Sequence, residues 1–288
     1  MTTQTEAEIF DRGYRRYDGE RSGVGTAMRS VWLNSIQRAL GLRRKFRFKI
    51  VPIVTILLAY IPALAFLGIA VILPSELVGE TVDYAGYYGL ISISTLLLTA
   101  FVGPELLSTD RRTGMFGLYM ASPLTRTHYL TAKASALATV LFLVTLMPLL
   151  FLLLGYTFVG LGPEGFSNTM ILLGRIIAGG LILSSFMTLL GMAAATLTNR
   201  QAFASAGIVM TLIASSVLAN VMFEVAEVDD AVLLADLGNL PNDAIQRLFK
   251  TSEIIDVPSW QSLGALGGVL ALLALIVIWG YQRMEVTK

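Results

Sequence analysis

Six windows of about 20 apolar residues decide what this chain can fold into: Ile50 to Leu73, Tyr84 to Val102, Ala134 to Gly155, Ile176 to Leu197, Ala202 to Phe223 and Ser262 to Tyr281. Each is long enough to cross about 30 Å of hydrocarbon as a helix. Inside hydrocarbon an unpaired backbone amide is so costly that only helices and closed barrels span it. A barrel would show short alternating segments, so the expected class is an all-α integral membrane protein with six transmembrane helices. The composition agrees, with 55% hydrophobic and 14% charged residues where soluble domains carry about a quarter charged.

The basic residues are unevenly shared between the two sides. Ahead of the first window stand Arg12, Arg15, Arg16, Arg21, Arg29, Arg38, Arg43, Arg44, Lys45, Arg47 and Lys49, and the same side gains Arg111, Arg112, Arg126, Lys133, Arg200, Arg283 and Lys288. The opposite side keeps Arg175, Arg247 and Lys250 against Glu76, Glu80, Asp83, Glu164 and the acidic run Glu224, Glu227, Asp229 and Asp230. The positive-inside rule then predicts a multi-pass protein of the cytoplasmic membrane with both termini in the cytoplasm. The chain divides into a cytoplasmic segment 1–49, a spanning domain 50–281 and a tail 282–288. The first 49 residues show no secretory signal, and the lack of cysteine excludes disulfides and thiolate metal sites.

Catalysis has no candidate group in this sequence. Within the windows no ionisable residue lies deep, and Arg175 and Lys133 sit at span ends, where they are expected to snorkel to the interface. The single histidine, His128, has no carboxylate or second histidine nearby, so no metal ligand set forms. A phosphate-binding G-x-x-x-x-G-K-[ST] loop is missing, and Gly160-Leu-Gly162-Pro-Glu-Gly165 reads as a turn cluster. The chain itself is therefore not expected to be an enzyme or to bind a cofactor.

Two further segments have internal order. Tyr14 to Gly25 is expected to run irregularly, whereas Thr26 to Phe48 carries Met28, Trp32, Ile36 and Leu40 every four residues, with Leu33 beside them and Arg29 and Arg38 off the stripe. That pattern predicts an amphipathic interfacial helix followed by a basic cluster, Arg43, Arg44, Lys45, Arg47 and Lys49, facing anionic lipid. On the other side, Asn239-Leu-Pro241-Asn-Asp predicts a capped helix to about Lys250. The pairs Gly264/Gly268 and Gly180/Ser184 mark candidate close approaches between helices.

The loop from Gly103 to Lys133 is the chief cytoplasmic surface after the N-terminal segment. Thr109 or Asp110 is expected to cap a short helix holding Met115, Phe116, Leu118, Tyr119 and Met120, with Pro123 ending it. Apolar all round and outside the bilayer, that helix must bury itself. Two hosts are open: the chain's own spans, or a groove on a soluble ATPase with Glu105, Asp110, Arg111 and Arg112 on the rim.

Glu105, Asp110-Arg-Arg-Thr-Gly114, Leu118, Ala121-Ser-Pro-Leu-Thr-Arg126 and Lys133, together with Leu190-Gly-Met-Ala-Ala-Ala-Thr-Leu-Thr-Asn-Arg200, resemble the permeases of type-2 ATP-binding-cassette exporters. The commoner order in that family is Gly-Thr where this chain reads Thr113-Gly114. The resemblance implies a coupling helix between spans two and three, with ATPase contact through Glu105, Asp110, Arg111, Arg112, Thr113, Gly114, Met115, Phe116 and Tyr119. It also implies two copies of a cassette ATPase holding ATP and Mg2+, a second permease chain, the same or related, and an outer segment Glu224 to Gln261 capping the exit. Lipids are the other partner, and nucleic acid is not one. The implied function is export of an apolar or amphipathic substrate. Rival readings are a permease-like anchor whose ATPase powers lipid extraction or signalling, and an ATP-independent carrier or channel.

Overall fold

The computed structural model describes residues 23–42, 44–72, 83–198, 200–251 and 253–282. Several expectations fall outside them: the irregular stretch from Tyr14 up to residue 22, Arg12, Arg15, Arg16, Arg21, Arg43, the Arg47 side chain, Glu76, Glu80, Arg283 and Lys288. Among the described residues the chain forms nine α-helices and no strand: α1 (Val24–Ala39), α2 (Ile50–Ile72), α3 (Tyr84–Arg112), α4 (Met115–Met120), α5 (Arg126–Val159), α6 (Gly165–Leu197), α7 (Gln201–Glu224), α8 (Leu240–Phe249) and α9 (Ser259–Gln282). Short 3-10 turns occupy Phe46–Phe48 and Asp230–Ala235. Six helices, α2, α3, α5, α6, α7 and α9, are long and apolar enough to cross a membrane.

The spans form an inner group and an outer one. In their most apolar windows α3, α5 and α6 are 61%, 50% and 67% buried, against 22% or less for α2, α7 and α9. Small residues let the inner helices meet. A Cβ built on Gly103 of α3 would lie 3.4 Å from the Gly191 Cα of α6, and one built on Gly191 would lie 2.8 Å from the Thr99 methyl. Any side chain at Gly191 must therefore push the two helices apart. Gly180 faces Phe142 and Thr145 of α5 in the same way, while Gly264 and Gly268 of α9 face open space.

Helix continues well beyond the apolar windows, most of all in α3. Its window ends at Val102, yet the helix runs through Pro104 to Arg112. An interior proline costs about 3 kcal/mol. Leu106 and Leu107 just beyond it are 1% and 0% exposed, and each fully buried leucine contributes about 2 kcal/mol, which offsets that cost. The long loop expected from Gly103 to Lys133 thus shrinks to two turns around α4. Likewise α5 begins at Arg126, capped by the Thr125 hydroxyl, which accepts the His128 N–H. Neither Thr109 nor Asp110 caps α4; its N-cap is Gly114, at φ 72° in the left-handed region that glycine tolerates best.

At the opposite ends of the spans the segment after α7 folds down as a lid. Its helix α8 opens with Pro241 in the first turn and closes at Lys250 (φ 60°). The lid rests on the inner group: Ser92 of α3 bonds Asn242, Tyr88 stacks near Phe249, and Arg175 of α6 donates to the Phe249 carbonyl at 3.2 Å. Arg175 thus reaches from α6 to the C-terminus of α8, where unpaired carbonyls are a favourable partner for a cation.

Six crossings put the α3–α4 turn and the segment after α7 on opposite faces. The chain has no native cysteine, so Arg112→Cys and Asp229→Cys are single reporters. On intact cells an impermeant thiol reagent should label position 229 and spare position 112, as the charge distribution requires. Equal labelling of both would overturn the arrangement of spans.

Candidate functional site

A carboxylate organises the chain where α3 outruns its apolar window. Asp110 is 1% exposed, two residues in from the exposed end of α3. Arg38 of α1 reaches one oxygen at 2.5 Å; Lys133 of α5 reaches the other at 2.7 Å, and the Tyr129 hydroxyl donates to that same oxygen at 2.8 Å. Lys133 is wholly buried and also donates to the Leu106 carbonyl at 3.2 Å. It does not snorkel. Its place seven residues after Arg126 puts it on the face of α5 that α3 covers, and a buried ammonium is tolerable only when paired.

Arg38, expected to be a free polar-face residue, is instead the bond that holds α1 to α3. The buried row of α1 is Val31, Ser35 and Ala39, one position away from the expected stripe. Small side chains in that row let α1 lie close on α5. The stripe itself, Met28, Trp32, Ile36 and Leu40, is partly buried beside it against the same core.

Aromatic rings carry the cluster outward to α4. Phe116 meets Tyr129 edge-on at 5.4 Å and Tyr281 of α9 at 6.3 Å, while Tyr119 lies 5.4 Å from Tyr129. Arg111 sits over the Tyr281 ring at 5.4 Å and donates to the Ala195 carbonyl of α6 at 2.7 Å. Arg126 bonds the Gln282 carbonyl at the end of α9. Five helices, α1, α3, α5, α6 and α9, therefore converge on the root of one short helix.

The residues expected to touch an ATPase separate into two groups here. Asp110 and Phe116 point inward, so the chain's own spans bury that side of α4, and Arg111 is engaged within the chain. Glu105 is paired with Arg44 in the turn after α1. Arg112, Thr113, Gly114 and Met115 are exposed, as is Leu118 at 66%, and Tyr119 is half-buried. Leu118 was legible as part of the apolar helix; Lys133, Tyr129 and Tyr281 were not, because their partners lie on elements distant in sequence. Their one local signal is the aromatic and basic row Tyr129/Lys133 at i, i+4 on α5.

Among the described residues no three His, Cys, Asp or Glu side chains gather as a metal site. Compared with models of known protein families and with curated protein sequences, the chain matches none.

A second charged cluster holds the lid. Asp243 of α8, wholly buried, accepts from Arg247 at 2.7 Å, from the Ser262 hydroxyl of α9 at 2.5 Å and from the Ile254 and Ile255 N–H groups at 3.0 Å. Burial alone would raise its pKa, but the bonds from Arg247, Ser262 and the Ile255 N–H outweigh that and hold the carboxyl below the usual carboxylate range. Its contribution to stability is complete above about pH 4 and is lost only as pH falls through the lowered native value. Asp243→Asn should lower the Tm of the purified chain at pH 7 and weaken the acid dependence of unfolding. An unchanged acid limb would show that Asp243 is not the titrating group.

The Asp110 cluster makes an asymmetric prediction. Asp110→Ala strands the buried Lys133 charge and should cost about 3 to 5 kcal/mol, whereas Asp110→Leu combined with Lys133→Met removes both fully buried charges, leaves only the part-exposed Arg38 without its partner and should recover much of that loss. Thermal unfolding in detergent measures both. Additive losses in the double variant would contradict the pairing.

Proposed function

We propose that this chain is the membrane subunit of an exporter driven by a separate ATPase, with α4 as the element on which that ATPase acts. One observation carries the reading. A helix outside the spans offers Met115 and Leu118 outward, and its opposite side is locked through Phe116 onto Tyr129 of α5 and Tyr281 of α9. An apolar surface outside hydrocarbon calls for a protein host. A displacement of α4 is passed directly to spans from both the inner and the outer group, because the interlocked rings and the Asp110 bonds leave no slack between them.

The resemblance to type-2 cassette permeases supports the same reading, and the contact now narrows to the face of Thr113, Gly114, Met115 and Leu118. Inside the apolar windows the buried polar side chains are hydroxyls, among them Ser94, Thr95, Thr99, Thr145 and Ser184. Windows whose described residues bury no charge suit an apolar or amphipathic cargo better than an ion. Six spans make half of such a route, so the working unit pairs this chain with a second permease, the same or related, and with two ATPase subunits that hold ATP and Mg2+.

Leu118→Asp places a charge on the proposed contact without touching the core. It should weaken association by tenfold or more, since an unpaired charge in an apolar interface costs several kcal/mol. The measurement is ATP hydrolysis that co-purifies with the tagged chain from its native membranes. Wild type should carry it, Leu118→Asp should lose it, and Val228→Asp in the segment after α7 should keep it. Retention by Leu118→Asp and Met115→Asp alike would reject α4 as the coupling element; absence of hydrolysis from wild type would favour a carrier that needs no ATPase.

A further inference from the structure

Beside the Asp110 cluster lies a cavity of about 290 Å³ between the Arg44 turn, the first turn of α2, α3 and the start of α7. One side of its wall is apolar, formed by Val51, Pro52, Phe101 and Val102. The other holds Arg38, Arg44 and Arg112 with a single carboxylate, Glu105. The boundary between the two coincides with the point where the apolar windows of α2 and α3 end, at Ile50 and Val102. The cavity thus straddles the edge of the hydrocarbon on the Arg112 side of the membrane.

Its charge does not balance. Arg44 is matched by Glu105, whereas Asp110 divides its one charge between Arg38 and the buried Lys133, and Arg112 has no carboxylate partner, so the surplus positive charge is exposed at Arg112. Among the described residues neither the Arg112 guanidinium nor the Thr109 hydroxyl has a partner. The two lie at i and i+3 on one face of α3, in line with Glu105 and Phe101 below them, and both line the cavity. A free guanidinium and a free hydroxyl above an apolar wall match a group with one negative charge, several acceptor oxygens and an apolar tail.

We propose that this cavity binds the phosphodiester headgroup of an anionic membrane phospholipid. Arg112 and Thr109 donate to the phosphate oxygens, and the glycerol and upper acyl chains lie on Val51, Pro52, Phe101 and Val102. A phosphodiester supplies the negative partner that Arg112 lacks. A soluble anion would leave the apolar half of the wall uncovered, and a zwitterionic headgroup would bring its ammonium toward three arginines. The site needs no ATPase, so its test and that of α4 fail separately.

The test is native mass spectrometry of the full chain in neutral detergent, titrated with dioleoyl-phosphatidylglycerol. Wild type should retain one lipid per chain. Arg112→Gln should weaken retention about tenfold, the usual worth of one charge-assisted hydrogen bond, and Thr109→Val several-fold. Neither residue is paired within the chain, so lipid-free unfolding should match wild type. Lys45→Gln, which removes an exposed cation not lining the cavity, should leave retention unchanged. Phosphatidylcholine should bind at least tenfold more weakly, and glycerophosphate at millimolar concentration should not displace the lipid. Equal retention by wild type and Arg112→Gln would overturn the proposal. So would equal loss in Lys45→Gln, which would mean diffuse surface charge, or full displacement by glycerophosphate, which would mean a free-phosphate site.

Discussion

Everything at the Arg112 side of this protein depends on one buried carboxylate. Asp110 has two oxygens and three donors, and the donors come from two other helices: Arg38 on α1, Lys133 and Tyr129 on α5. Taking such charges out of water costs several kcal/mol each, repaid only if every partner is in place. The cluster therefore works as a specifier more than as glue. It fixes how far α3 extends, how α5 is rotated about its axis and where α1 lies, and α4 has no freedom left once Phe116 is seated on Tyr129 and Tyr281. The direct link from a 6-residue helix to spans α5 and α9 is a consequence of that satisfied charge.

The architecture was largely legible because hydrocarbon is a demanding solvent. The six windows, α8 behind Pro241 and the short apolar helix near Met115 all follow from length, hydropathy and proline placement. Helix ends were not legible. Nothing local shows that Pro104 is absorbed into α3, since the compensation comes from Leu106 and Leu107 packing on other elements. The same blindness affected the charges. Lys133 read as a snorkelling residue because snorkelling is the best that a helix alone can offer; it is instead buried against Asp110, and the partner of Arg175, the Phe249 carbonyl, lies just as far away in sequence. Arg38 looked solvent-facing for the same reason. Of the residues singled out around the α3–α4 turn, Arg112, Thr113, Gly114 and Met115 proved exposed, whereas Asp110 and Phe116 proved inward and Glu105 and Arg111 proved engaged within the chain.

That division has a physical cause. A side chain with a strong hydrogen-bonding or ionic preference is the one most readily captured by a complementary group nearby, so at the root of a structural element it becomes internal. What remains outside is what the fold had no use for: Gly117, Met115 and Leu118 on α4, and Arg112 and Thr109 facing the cavity beside it. Surfaces available to a partner are thus better sought among unsatisfied groups than among charged ones as such.

The two ends of the inner group are held by the same kind of device. At one end Asp110 gathers α1, α3 and α5; at the other Asp243 gathers α8, α9 and the turn at Ile255, and α8 in turn leans on α3 through Ser92 and on α6 through Arg175. Both clusters are buried carboxylates with three or more donors, and both clamp a peripheral helix to spans that are themselves in close contact at Gly103 and Gly191. With no side chain between them at that point, α3 and α6 pack backbone against backbone. Under the proposed coupling role, a displacement entering at α4 through Tyr129 and Arg111 would meet α3, α5 and α6 at once, with the lid at their far end. Coupling across a membrane would need a stiff element anchored at both faces, and the pair of carboxylate clusters is what recommends this chain for it.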